Sequence, residues 1–168
     1  PLPDPVLPDL PGKLGGGVVR DIVIYPDPRL FQRCDPAGYL AGPELHRLAA
    51  DLLATMYAAG GRGLAAPQIG VMVRAFVMDA RWKEGQPQPM VLLDPEILSR
   101  SVAEVAMVEQ CLSIPGQPVE MTRAESIAIA WYDLDGNHQQ THLSGIEARI
   151  AQHEADLLDG RLIVGPVE

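Results

Sequence analysis

The chain has 168 residues, 47% of them hydrophobic and 21% charged, enough apolar content for one ordinary globular domain with a core. With 13 Lys and Arg against 22 Asp and Glu, the formal charge is −9, which disfavours nucleic acid as a partner. No stretch approaches the roughly 18–20 apolar residues of a membrane helix, and two cysteines are too few for a disulfide framework, so the chain reads as cytoplasmic and off the membrane. Only four histidines are present, so any imidazole site must draw on His46, His138, His142 and His153.

The first residue is not Met, so the chain reads as an excerpt or a processed form. Residues 1–17 carry Pro1, Pro3, Pro5, Pro8 and Pro11, then Gly15, Gly16 and Gly17, and are expected to be a disordered arm ahead of a single domain over 18–168. Residues 22–25 suggest a short strand closed by the turn Pro26-Asp27-Pro28. A helix begins near Pro43: Leu45, Leu48, Leu52 and Met56 recur at spacings of three and four, Arg47 and Asp51 fall on other faces, and Gly60-Gly61 supply the stop. Residues 73–78, 90–93 and 127–132 are apolar and rich in β-branched side chains, and the last run ends in a turn at 133–137, so they predict strands of a mostly antiparallel sheet. A second helix is announced by Ser144 and Glu147 in capping-box spacing and closed by Gly160. On it Ile146, Ile150, His153 and Leu157 share one inward face. These elements make an α+β domain.

The chemistry-bearing residues fall in three segments. His153-Glu154 places an imidazole on the buried stripe and a carboxylate about 100° round the helix. In an HExxH hydrolase two histidines one turn apart grip a metal while the glutamate moves a proton for the bound water. Taken alone, the pair describes a core histidine beside a surface glutamate just as well. Gly61-Arg62-Gly63-Leu64-Ala65-Ala66-Pro67-Gln68-Ile69-Gly70 is a glycine-bounded loop of small residues leading to an amide side chain, or simply a tight turn entering a strand. Glu109-Gln110-Cys111-Leu112-Ser113 places a thiol near a carboxylate, although a lone Cys is more often a small buried hydrophobe.

In this order and spacing the three segments resemble the GxGLAAxQ, EGCLS and QHExDH motifs of the peptide deformylases, and the likeness runs from about Ile24 to Ile163. The resemblance implies small, mostly antiparallel sheets packed around a central helix that carries the HE motif. It implies a divalent ion, Fe2+ or Zn2+, held by Cys111, His153 and a second histidine. Glu154 would be the proton carrier, with the Gln68 amide and the Leu112 backbone N–H as donors to a tetrahedral oxyanion. The substrate class implied is the N-formyl methionine of a nascent chain, released as formate and a free amino terminus.

Two positions depart from that pattern. Leu157 stands where the second metal-binding histidine would be, and Gln110 replaces a glycine beside which a peptide substrate would lie. Asp156 could supply a third donor, but in the resemblance it pairs with Arg123; His138 and His142 could swing in from a turn or stay solvated. The substrate pocket would be walled by Arg62, Gly63, Met107, Glu109, Gln110, Ile146, Arg149 and Ile150, where Arg62 and Arg149 either face the pocket and favour an anionic ligand or snorkel to solvent. The chain lacks the basic C-terminal helix by which many bacterial members dock on the ribosome, so docking by that route is not expected. The sequence therefore predicts a deformylase-type amide hydrolase acting on a peptide or small amide, with weak, altered or lost activity. The alternative is a non-catalytic binding module on the same fold.

Overall fold

Pro43 at the first helical positions suits the fixed φ of proline, and helix α1 (Gly42–Ala58) follows from it. Leu48, Leu52, Leu53 and Met56 form its buried stripe. Asp51 lies on that buried side, not on an outward face as its spacing suggested. Its carboxylate accepts the Val18 N–H at 2.8 Å and pairs with Arg20 at 3.1 Å, which makes its burial tolerable. The helix stops where predicted: Gly60 takes φ +72°, and the N–H groups of Gly60 and Gly61 donate to the carbonyls of Tyr57 and Met56.

The computed structural model describes residues 5–10 and 12–166. In chain order the strands are β1 (Gly63–Ala65), β2 (Ala75–Met78), β3 (Met90–Arg100), β4 (Glu104–Cys111), β5 (Ile114–Ala124), β6 (Ser126–Tyr132) and β7 (His138–Ser144), and helix α2 (Gly145–Leu158) comes last. Five strands make one antiparallel sheet in the order β1-β2-β3-β6-β7, while β4 and β5 form a separate hairpin.

Side chains alternate across the main sheet with the period of two that a strand imposes. Ala75, Val77 and Leu93 pack with α1, whereas Phe76, Met78 and Leu92 pack with Ala148, Ala151, Leu157 and Leu158 of α2. The sheet is thus covered by a helix on each face, and α2 lies between it and the β4–β5 hairpin. The α+β class expected from the sequence is what is found, with the HE motif on the central helix.

Two local expectations fail. Residues 22–25 form no strand: the chain there makes two tethering bonds, Val23 N–H to Gln68 O (2.7 Å) and Tyr25 N–H to Ser113 O (2.8 Å), without a ladder. Ser144 occupies the N-cap of α2 but its side chain makes no capping bond, and Glu147 pairs with Arg81 at 2.6 Å in place of closing a capping box. Of the expected N-terminal arm, residues 1–4 and 11 lie outside the described residues. Gly12–Leu14 form a short 3-10 turn, and Leu10 and Leu14 pack against the α1 cluster. Among the described residues no helix is long and apolar enough to cross a membrane.

The end of α2 depends on one glycine. Gly160 has φ +75°, and a Cβ there would lie 2.6 Å from the backbone of Phe31, which cannot yield as a side chain would. At Gly136, φ +82°, the space is open. Gly160→Ala is expected to cost about 2–4 kcal/mol, and Gly136→Ala about 1–2 kcal/mol, from backbone conformation alone. Urea unfolding of the two variants checks this; equal losses would mean that the contact with Phe31 relaxes freely.

Candidate active site and family

Three segments converge on one cleft of about 690 Å³. Helix α2 contributes His153 and Glu154, the end of β4 contributes Cys111, and the turn after β1 contributes Gln68. The small residues before Gln68 are required by closeness. A Cβ on Gly63 would sit 2.9 Å from Glu154 Oε2 and 2.8 Å from Ile150 Cγ2, so only glycine lets β1 lie against α2 here.

Gln68 is held at both ends of its amide. Oε1 accepts the Ala65 N–H at 2.9 Å, and Nε2 donates to Ser113 Oγ at 3.0 Å and toward Cys111 Sγ at 3.6 Å. Both amide hydrogens of Gln68 therefore have partners, a restriction the motif did not reveal. Ser113 is fully buried and its role was missed by the sequence reading; its place two residues after Cys111 was the available signal.

Glu109 lines the cleft but is more than a wall residue. Its carboxylate receives Nε and Nη2 of Arg123 at 2.6 and 2.9 Å, Nη1 of Arg149, and Nδ1 of His153 at 3.0 Å. Burial opposes the Glu109 charge, yet hydrogen bonds from His153 and Arg123 prevail and hold its pKa at about 2. The same contacts act on His153. Burial would lower its pKa, but hydrogen bonds with Cys111 and Glu109 raise it to about 10.

Glu154 has the opposite environment. It is 4% exposed, so burial raises its pKa to about 7 against the pull of His153 and Arg123, and its Oε1 has no hydrogen-bond partner among the described residues. A buried carboxyl poised near neutrality can hold or release a proton, which suits a general acid and base. It is not the surface residue that an isolated His-Glu pair suggests.

The arginines resolve differently from either expectation. Arg149 is 7% exposed and is spent on Glu109 and on the carbonyls of Val105 (2.6 Å) and Met121 (3.2 Å), so it neither offers a free charge to the pocket nor reaches solvent. Arg62 lines the cleft, with Gly63, Met107, Gln110, Leu112, Ile146 and Ile150.

The donor set does not fit an ion held by three protein ligands. Leu157, one turn beyond His153, is 2% exposed and packed in the core. Asp156 pairs with Arg123 at 2.9 Å. His138 and His142 are exposed on β7, not on a turn, and do not enter the cleft. Among the described residues no three His, Cys, Asp or Glu side chains come together for a metal.

Residues 19–168 match the family model for polypeptide deformylase. This chain belongs to the peptide deformylase family. A peptide deformylase of Alkalilimnicola ehrlichii is 45% identical over 146 residues, covering 87% of this chain and 80% of the relative. The crystal structure of peptide deformylase from Thermotoga maritima superposes with a TM-score of 0.80 at 35% identity, covering 87% of this chain and 95% of that one. The class I type b peptide deformylase of Acinetobacter baumannii with Met-Ala-Ser bound gives 0.81 at 31%, covering 88% and 98%. The deformylase fold is therefore established for this chain, and the family is in general one of metal-dependent hydrolases.

The buried carboxylate of Glu109 sets a test of the deformylase scaffold itself. Glu109→Gln leaves Arg123, Arg149 and His153 short of their common anion and is expected to cost roughly 3–5 kcal/mol. Urea unfolding at neutral pH measures it, and a loss below about 1 kcal/mol would show that the network does not hold the hairpin on α2.

Proposed function

We propose that this deformylase-family chain receives peptide N-termini in the cleft beside α2, and that metal-dependent removal of a formyl group is strongly weakened in it. The observation that carries this reading is Leu157, buried at 2% where a third metal-binding imidazole would project. Catalytic sites of the family's type keep three protein ligands and an open position. With Cys111 and His153 as the candidate ligands among the described residues, affinity for Fe2+ or Zn2+ falls steeply. When bound, such an ion would supply a nucleophilic water.

What the chain's own residues would do is separate from the ion. Glu154 Oε1, unpartnered and near neutrality, holds and returns a proton at the reacting carbonyl. The Leu112 N–H and the Gln68 amide are the candidate oxyanion donors. The Met-Ala-Ser complex of the Acinetobacter baumannii relative supports a peptide N-terminus as occupant. Gln110, exposed on β4 beside Cys111, lies where a peptide strand would run and narrows its approach. The two free thiols, Cys34 and Cys111, suit a reducing, cytoplasmic setting.

One observation favours a second reading, a peptide-binding module without turnover: both amide hydrogens of Gln68 are already directed at Ser113 and Cys111.

Metal content after anaerobic purification, with formate release from a formyl-methionyl peptide, tests the first reading. Substoichiometric metal and formate release at least about a hundredfold below that of Leu157→His are expected. Leu157→His should lose about 2–4 kcal/mol without metal, from a buried polar ring in an apolar site, and regain stability on adding Zn2+. Stoichiometric metal with full turnover in the natural sequence would overturn the proposal. Residual formate release abolished by Glu154→Ala favours the weak enzyme, and none above the buffer rate favours the binding module.

A further inference from the structure

The cleft holds four positively charged or protonatable side chains of two kinds. Arg149 and His153 are bound to Glu109. Arg62 and Lys83 line the same cleft, and among the described residues neither has an acidic partner within ion-pair distance. In a chain of net charge −9, two such cations on one cleft wall make a local positive patch.

The fold places them side by side. Asp79 N–H donates to Arg62 O at 2.9 Å, and the indole N–H of Trp82 donates to Gly61 O at 2.9 Å, so the segment before β1 is tied to the 3-10 turn Trp82–Glu84 after β2. Lys83 Nζ lies 5.7 Å from the Trp82 ring centroid, which steadies the ammonium on this wall. Burial, and then the charge of Arg62, lower the Lys83 pKa, so the two cations feel each other. Arg62 Nε is buried with no hydrogen-bond partner among the described residues, so no protein acceptor fixes this part of the side chain.

The acids of the cleft do not cancel this charge. Glu109 is shared among Arg123, Arg149 and His153, and among the described residues Glu154 makes no ion pair with Arg62 or Lys83. Arg62, Lys83 and Glu154 line one cleft, and Arg62 is the residue before Gly63, against which Glu154 packs, so a group bound at this wall shares the cleft with that carboxyl.

We propose that Arg62 and Lys83 form an anion subsite of the cleft that selects peptides with an acidic side chain at their first or second residue. This rests on the peptide-cleft reading above. Arg62 presents a planar fork suited to a carboxylate and Lys83 a mobile ammonium, so the pair grips one carboxylate from two sides.

Fluorescence anisotropy of the full chain with labelled N-formyl peptides tests it, using two pairs: Met-Asp-Ser against Met-Asn-Ser, and Glu-Ala-Ser against Gln-Ala-Ser. In at least one pair the acidic member should bind roughly ten- to a hundredfold tighter than its amide twin. The gap should shrink as salt is raised and close in the Arg62→Gln, Lys83→Gln double variant. Equal affinity within both pairs would overturn the inference while leaving the peptide cleft standing, and failure of every peptide to bind would overturn both. A preference that persists in the double variant, or displacement of the acidic peptide by inorganic phosphate at equal affinity, would also overturn it.

Discussion

A carboxylate in the interior survives only if its charge is answered, and Glu109 is answered by three groups from two elements. Arg123 comes from β5, and Arg149 and His153 come from α2. Arg123 then reaches Asp156 on α2, and Arg149 reaches the carbonyls of Val105 and Met121 on the two hairpin strands. The hairpin is not part of the five-stranded sheet, and a two-stranded hairpin is marginal by itself in water. This network, together with the bond from Gln152 Nε2 to Ala124 O (2.9 Å) and the apolar packing of Cys111, Ile114 and Ala124 with α2, sets its position against α2 and the place of Cys111 beside His153. Removing a single partner would strand a buried charge, so the members stand or fall together.

That dependence explains how the cleft keeps its shape around Leu157. In the family an ion would help to fix the imidazole and the thiol, but here Glu109 Oε1 already fixes His153 through Nδ1, and Ser113 and Ala65 fix Gln68. Leu157 meanwhile sits in the apolar cluster with Cys34, Cys111 and Leu158. Burying such a side chain contributes about 1.5–3 kcal/mol. An imidazole at that place without an ion would instead need a hydrogen-bond partner. On the reading proposed above, Leu157 would exchange a ligand for packing, and the protein contacts around the cleft would keep its order without the ion.

Much of this was legible in the sequence, and the reasons for the rest are physical. Helix α1 and helix α2 carry apolar residues at helical spacing, β2 is an apolar run buried throughout, and β6 is an apolar run buried at its centre. Strands β4, β5 and β7 were invisible because their side chains are mostly exposed: β7 reads His-Gln-Gln-Thr-His-Leu-Ser, with no apolar alternation to betray it. Residues 22–25 have strand composition but make only single backbone bonds to Gln68 and Ser113, so they tether those two residues and form no ladder. At the site, the motifs placed Cys111, His153, Glu154 and Gln68 together, because motif spacing is written in the chain. They could not tell that Arg149 would be consumed by two carbonyls and a carboxylate, since those partners lie 28, 44 and 40 residues away and meet it only in the folded protein.

The same distinction between local and global governs charge in the cleft. A net charge of −9 spread over the surface would slow the approach of an acidic ligand, yet it acts through solvent in which fields fade over roughly 8–10 Å at ordinary salt. Arg62 and Lys83 act at contact, inside a cavity where water is fewer and screening weaker. The global charge therefore bears on the rate of encounter, and the two wall cations bear on how long an anionic group stays. Composition alone reports only the first of these, which is why a chain that repels anions on average can still hold one at a single place.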